Sequence, residues 1–185
     1  KQPGGGAGSA KAPALRPSKG VHVGEATIPE MQAALKSGRV TSREIVRQYL
    51  QRIGMHEDML HAAITVNPKA LELAGERDRE RAAGKIRGPL HGIPVAIKAV
   101  TGTADMPTTF GSRAYAGYQA GFDAAIVGLL RAAGAVILCK TNTPELACEP
   151  ATRSELHGET RNPWDLERSP GGSSGGAAAA AAPGM

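Results

Sequence analysis

The sequence predicts an α/β fold, and three stretches carry that reading. "IPVAIKAV", residues 93–100, is apolar on both of its alternating faces, as a strand buried in a parallel or mixed sheet would be. "AAIVGLLRAA", 124–133, has helical character, with Asp123 placed to cap its start and Gly134 to end it. "AVILCK", 135–140, is a second short apolar run. Strand, helix and strand in succession give one βαβ unit, the building block of α/β architecture.

Residues 1–24, rich in Gly, Pro, Ala and Ser, read as a flexible lead-in. The folded domain is expected over 25–185. Thr27 with Glu30 forms a capping box that opens a helix through about Ser37. Thr41 with Glu44 opens another, in which Ile45, Val46, Tyr49, Leu50 and Ile53 share one face. Asn67 as cap and Pro68 in the first turn start a third helix, running to about Ala83. Its "ERDRERAAGKIR" tail alternates acids and arginines and reads as a solvated face laced with ion pairs. "GPLHGIP" is a breaker-rich turn before the first strand. A long loop follows that strand over 101–121, "NTPELA" suggests a short helix, and "TRNPWDLERSPGGSSGG" reads as loop. The alanine run 177–182 is strongly helical until Pro183.

Composition narrows the function classes. The 185 residues suffice for one domain with a core. The net charge of +5 is not gathered into a patch. Two Phe, three Tyr and one Trp leave few rings to stack bases, which disfavours nucleic-acid binding. Two cysteines, Cys139 and Cys148, make neither a disulfide framework nor a metal cluster, and Cys139 reads as a buried free thiol. No apolar run reaches the length of a membrane span. No metal or organic cofactor is indicated.

"SPGGSSGG", 169–176, is the stretch that asks for a chemical explanation. A Walker loop fails because Ala177 and Ala178 stand where Lys and Ser/Thr are needed, and a dinucleotide fingerprint fails at Ser173. Gly172–Gly176 matches the G-x-S-x-G elbow with Ser174 central. Yet no strand precedes it, and all the histidines (His22, His56, His61, His91 and His157) come earlier in the chain. An anion held by free backbone N–H groups and a plain flexible linker both remain open.

Lys98 offers another reading. A serine can be activated by a neutral lysine. Free lysine is neutral only about once in a few thousand molecules at pH 7, so burial must lower its pKa. Alternation puts Lys98 on the face of Pro94 and Ala96, at the end of the strand, where α/β folds place their sites. A lysine snorkelling to solvent gives the same pattern.

Taken together and in order, "GPLHGIPVAIK", "LRAAGAVILCKTNTPELA", "TRNPWD" and "SPGGSSGG" resemble the amidase signature family over residues from about 25 to 185. The resemblance implies the N-terminal part of that domain, a mixed sheet flanked by helices. It implies a Ser–Ser–Lys mechanism that hydrolyses a carboxylic amide by acyl transfer. Lys98 would be the base and proton relay, and Ser173, following a cis peptide bond, the bridge to the nucleophile. Ser174 reads as structural or as a support just behind the reacting groups. Thr108, Thr109 and Ser112 follow Lys98 in the long loop, as turn residues or near substrate. Three positions depart from the family's pattern. Ala99 stands where an acid is usual and Ala177 where a serine is usual, and the nucleophilic serine belongs to a second Gly-Gly-Ser segment expected beyond residue 185. The expected partner is a small-molecule amide, with no metal and no membrane. Homo-oligomerisation and compartment stay open, a cytoplasmic site being favoured over export. The alternative is a catalytically inactive or partner-binding fragment of the same fold.

Overall fold

The computed structural model describes residues 21–185. Of the lead-in expected over 1–24, only 21–24 fall among them, and Val23 there is buried at 2% exposure. Helices α1 (Ile28–Lys36) and α2 (Ser42–Leu60) open with the two capping boxes read from the sequence, both reciprocal. Each satisfies backbone donors that a helix start leaves free. Val23, Met31, Leu35, Val40, Ile45 and Ile93 close one core cluster between these helices.

A short strand β1 (Thr65–Val66) precedes helix α3 (Ala70–Ala82). Asn67 is not the N-cap expected of it. Its Oδ1 accepts from Lys69 N in a tight turn, and its Nδ2 donates to Ile137 O, tying the turn to the sheet. The charged tail of α3 also differs from a solvated face. Arg77 is 8% exposed and pairs with Glu76 and Glu80. Asp78 accepts from Ser42 N and Arg43 N, so α3 caps the start of α2. Arg77 and Asp78 thus turn toward neighbouring elements, while Arg79 stays exposed and the expected ion pairs of Arg77 with Glu76 and Glu80 form, a division that spacing along one helix cannot reveal.

Strand β2 (Pro94–Lys98), helix α4 (Ala125–Ala132) and strand β3 (Val136–Thr141) form the expected βαβ unit. Asp123 does not cap α4. It accepts from Ala104 N and pairs with Arg131, fastening the long loop to the helix. The sheet order is β1-β3-β2, with β2 parallel and β1 antiparallel to β3. β3 is central and buried along its whole length. β2 is less covered than its composition suggests: Ala96 is exposed, because among the described residues β2 is an edge of this sheet. A bulge between Val95 and Ala96 resets the pairing, so that Ile97 lies beside Lys140 and Lys98 beside Thr141. One face packs Val136, Leu138 and Cys139 against Val46, Ile53, Ala70 and Ala74. The other packs Ile97 and Ile137 against Met106 and Val127. Each fully buried branched side chain contributes about 1.5–3 kcal/mol.

"NTPELA" gives a single 3₁₀ turn, Glu145–Ala147. A small hairpin, β4 (Arg153–Ser154) with β5 (Gly158–Glu159), lies within the segment before "TRNPWD". Helix α5 (Gly175–Ala181) begins inside the Gly-rich loop rather than after it, and Ala179 and Ala180 pack on Leu60 and Ala62.

Candidate active site

Lys98 ends β2, and its neighbour Ala99 donates N–H to Thr141 O, continuing the ladder past the strand. The lysine is partly buried. On its face of the sheet, the start of α5 comes down over the strand ends. The Lys98 Nζ donates to Ser173 Oγ at 2.7 Å and to Ser174 Oγ at 3.0 Å. Burial alone holds the Lys98 amine below the ordinary lysine range. That shift raises the fraction of neutral amine, the form able to take a proton.

The glycines of the loop have individual reasons. A side chain at Gly172 would meet the Pro150 carbonyl carbon at 2.9 Å. One at Gly175 would strike Thr152 Oγ1, and one at Gly176 the Asn142 backbone. Gly171 has φ +86°, a conformation that side chains disfavour. The peptide bond between Gly172 and Ser173 is cis. The loop is thus packed rather than a flexible linker. Its glycines let two hydroxyls approach one amine while α5 lies directly on the end of β3.

Thr152, fully buried, clamps this loop at both ends. Its Oγ1 donates to Gly171 O at 2.9 Å and accepts from Gly175 N at 2.9 Å. Nothing in its sequence neighbourhood signals that role, since the contacts span 19 and 23 residues. Asn142 is similarly placed: buried, it donates to Thr160 Oγ1 at 3.0 Å and to His61 O at 3.2 Å, fixing the chain that α5 rests on.

The expected site residues part company in space. Lys98 and Ser173 meet, and Ser174 joins them through its own hydrogen bond to the amine. Thr108, Thr109 and Ser112 are buried and engaged elsewhere. Thr108 Oγ1 accepts from Lys140, Thr109 pairs with His157 at 2.9 Å, and Ser112 donates to Glu145 at 2.6 Å.

Lys140 is a second buried lysine, on the opposite face of the sheet. It is 0% exposed and donates from Nζ to Thr101 O at 2.5 Å and to Thr108 Oγ1 at 3.1 Å. Burial pulls its pKa down to about 8, against the opposing pull of Asp105 and Asp123. It pins the loop that leaves Lys98. Its place in the apolar run "AVILCK" was the available signal: a lysine closing a strand with both faces covered must find partners inside.

Among the described residues, no group of His, Cys, Asp and Glu is arranged to hold a metal. No helix among them is long and apolar enough to cross a membrane.

Known proteins resemble this chain in sequence and in fold. A family model described as Amidase matches residues 44–185. In Thermobifida fusca, the A-subunit of glutamyl-tRNA(Gln) amidotransferase is 48% identical over 146 residues, 78% of this chain and 29% of that protein. The native peptide amidase from Stenotrophomonas maltophilia superposes with a TM-score of 0.81 at 43% identity, over 84% of this chain and 34% of that one. A bacterial aryl acylamidase gives a TM-score of 0.80 at 29% identity, over 85% and 33%. The chain therefore spans about a third of the length of these relatives. With a lysine at the end of the first parallel strand, two serines upon it, and agreement with these enzymes in both sequence and fold, this chain belongs to the amidase signature family.

Proposed function

We propose that this chain supplies the proton-relay half of a site that breaks carboxylic amides by acyl transfer to a serine. Lys98 is the base and Ser173 the bridge. An attacking serine passes its proton to Ser173 Oγ while Ser173 passes its own to the neutral Lys98 amine. The new C–O bond forms, the C–N bond breaks, and the departing nitrogen takes its proton back from Lys98 through the same hydroxyl. Water then cleaves the ester and frees the acid. By resemblance, the attacking serine belongs to a Gly-Gly-Ser segment outside these 185 residues. The observation that carries the reading is the 2.7 Å hydrogen bond from Lys98 Nζ to Ser173 Oγ.

The relatives' names span amide transfer and amide hydrolysis, and the proposed acyl transfer is compatible with either. A catalytically silent fragment that binds a partner is the second reading. It is favoured by the exposure of Ser174 and the partial exposure of Lys98, since a base works best away from water.

The test is turnover of a simple aliphatic amide and of a peptide C-terminal amide by the complete gene product. Lys98→Ala should lower kcat/KM by about 10²–10⁴-fold, the usual contribution of a general base. Retention of most activity in that variant would remove Lys98 as the base. Absence of turnover in the unaltered protein would favour the silent module.

A further inference from the structure

Thr141 faces the candidate site without an assigned role. It is 1% exposed, and its Oγ1 has no hydrogen-bond partner among the described residues. A buried hydroxyl left unpaired is costly, so native folds seldom leave one so. Thr141 is the register partner of Lys98 on the adjacent parallel strand. Paired residues on neighbouring strands point to the same face and lie about 4.8 Å apart. That face is the one on which α5 brings Ser173 and Ser174 to the amine.

A count of hydrogen bonds supplies the second observation. A lysine ammonium has three donors and no acceptor. Ser173 and Ser174 accept two of the three from Lys98. Burial displaces the pKa of the Lys98 amine downward. Cys139 lies on the same side of β3, and its thiol, pushed up to about 12, stays neutral. The hydrogen-bonding partners of the amine are thus hydroxyls, and the hydroxyl of its register partner Thr141 is unspent.

We propose that Thr141 is a positioning residue for Lys98, its hydroxyl taking the third hydrogen bond of the amine through one bridging water. No direct bond joins the two groups, and a single water spans such a gap between polar partners. The hydroxyl can turn. It accepts, by way of the water, while Lys98 is an ammonium, and it donates toward the lone pair when Lys98 is neutral. Thr141 thereby holds the amine in place in both charge states and favours the ammonium, whose charge-assisted hydrogen bond is the stronger. This rests on the proposed role of Lys98 as a base, though its test does not require turnover.

The experiment is titration of Lys98 in the 185-residue chain. Lysine is labelled with ¹³C at Cε, and the Lys98 signal is assigned by its loss in Lys98→Arg. Thr141→Val keeps the shape and removes the hydroxyl. Losing an acceptor for the ammonium should move the Lys98 midpoint down by about half a pH unit or more. Thr141→Ser, which restores the hydroxyl, should titrate like the unaltered chain. Thr141→Val should also melt at a lower temperature, since it strands a bound water. An unchanged midpoint in folded Thr141→Val overturns the inference. So does a higher melting temperature, which would mark the hydroxyl as a plain orphan, or an equal shift in Thr141→Ser, which would make the effect one of packing. Should Thr141→Val fail to fold, Thr141→Cys, a poor hydrogen-bonding group of similar size, carries the same expectation and the same grounds for rejection. A flat Thr141→Val titration alongside lost turnover in Lys98→Ala would remove Thr141 and leave the proposed function standing.

Discussion

Lys98 and Ser173 stand 75 residues apart in the chain, yet their Nζ and Oγ atoms lie 2.7 Å apart. Two elements bring them there: the end of a parallel edge strand, and a Gly-rich loop running into a helix that rests on the neighbouring strand. Removing the hydroxyl should break the relay while leaving the fold. Ser173→Ala is expected to keep the melting temperature within a few degrees, since Ser173 is only partly buried. It should lower amide turnover by the complete gene product by about 10²-fold or more, read as kcat/KM.

Gly176 tests the close approach of α5 to β3. Any side chain there meets the Asn142 backbone, which cannot swing aside as a flexible side chain would. Gly176→Ala should destabilise the chain by about 1–3 kcal/mol, the usual cost of overpacking. Alanine is the better helix former, so intrinsic propensity predicts the opposite sign. Urea denaturation distinguishes the two.

Thr152 tests the loop clamp. Thr152→Val removes the acceptor of Gly175 N and the donor to Gly171 O. About 1–3 kcal/mol of stability should be lost with the buried N–H unpaired. Thr152→Ser should recover most of it. A valine variant as stable as the parent would show that the clamp contributes nothing.

Lys140 makes stability depend on pH in the alkaline range. Its folded pKa of about 8 lies below the unfolded value of about 10.4. Between those values the unfolded chain binds more protons, so stability rises with pH from about 8 upward and gains nothing further above about 10.4. Cys139, raised to about 12, works in the opposite direction above the unfolded thiol value. The measurement is therefore a difference. The urea midpoint of the parent should climb relative to Lys140→Met as pH goes from 7 to 10. Parallel profiles would mean that Lys140 titrates as it does in water.

The two cysteines should react very differently. Cys148 is exposed, whereas Cys139 is 2% exposed and its thiol is pushed up to about 12 by burial, with Glu57 adding to the shift. A thiol reagent at pH 8 should label Cys148 within minutes in the native chain and Cys139 only after denaturant is added. Fast native labelling of both would contradict the burial of β3.

The sequence on its own determined what depends on near neighbours. Both capping boxes, the apolar face of α2, the strand-helix-strand unit and the Gly134 stop are local patterns, because helix and strand periods and backbone freedom act over a few residues. The ordered motifs also identified the family and singled out Lys98 and Ser173. Tertiary structure decided the rest. Asp78 caps a different helix, Asp123 leaves its own helix uncapped to hold a loop, and Lys140 turns inward to a carbonyl. Thr152 and Asn142 fix the serine loop across long stretches of chain, and Ser174 joins Ser173 on the amine. These polar groups have several partners open to them in sequence, and only the three-dimensional packing, by excluding water, selects which one each must take.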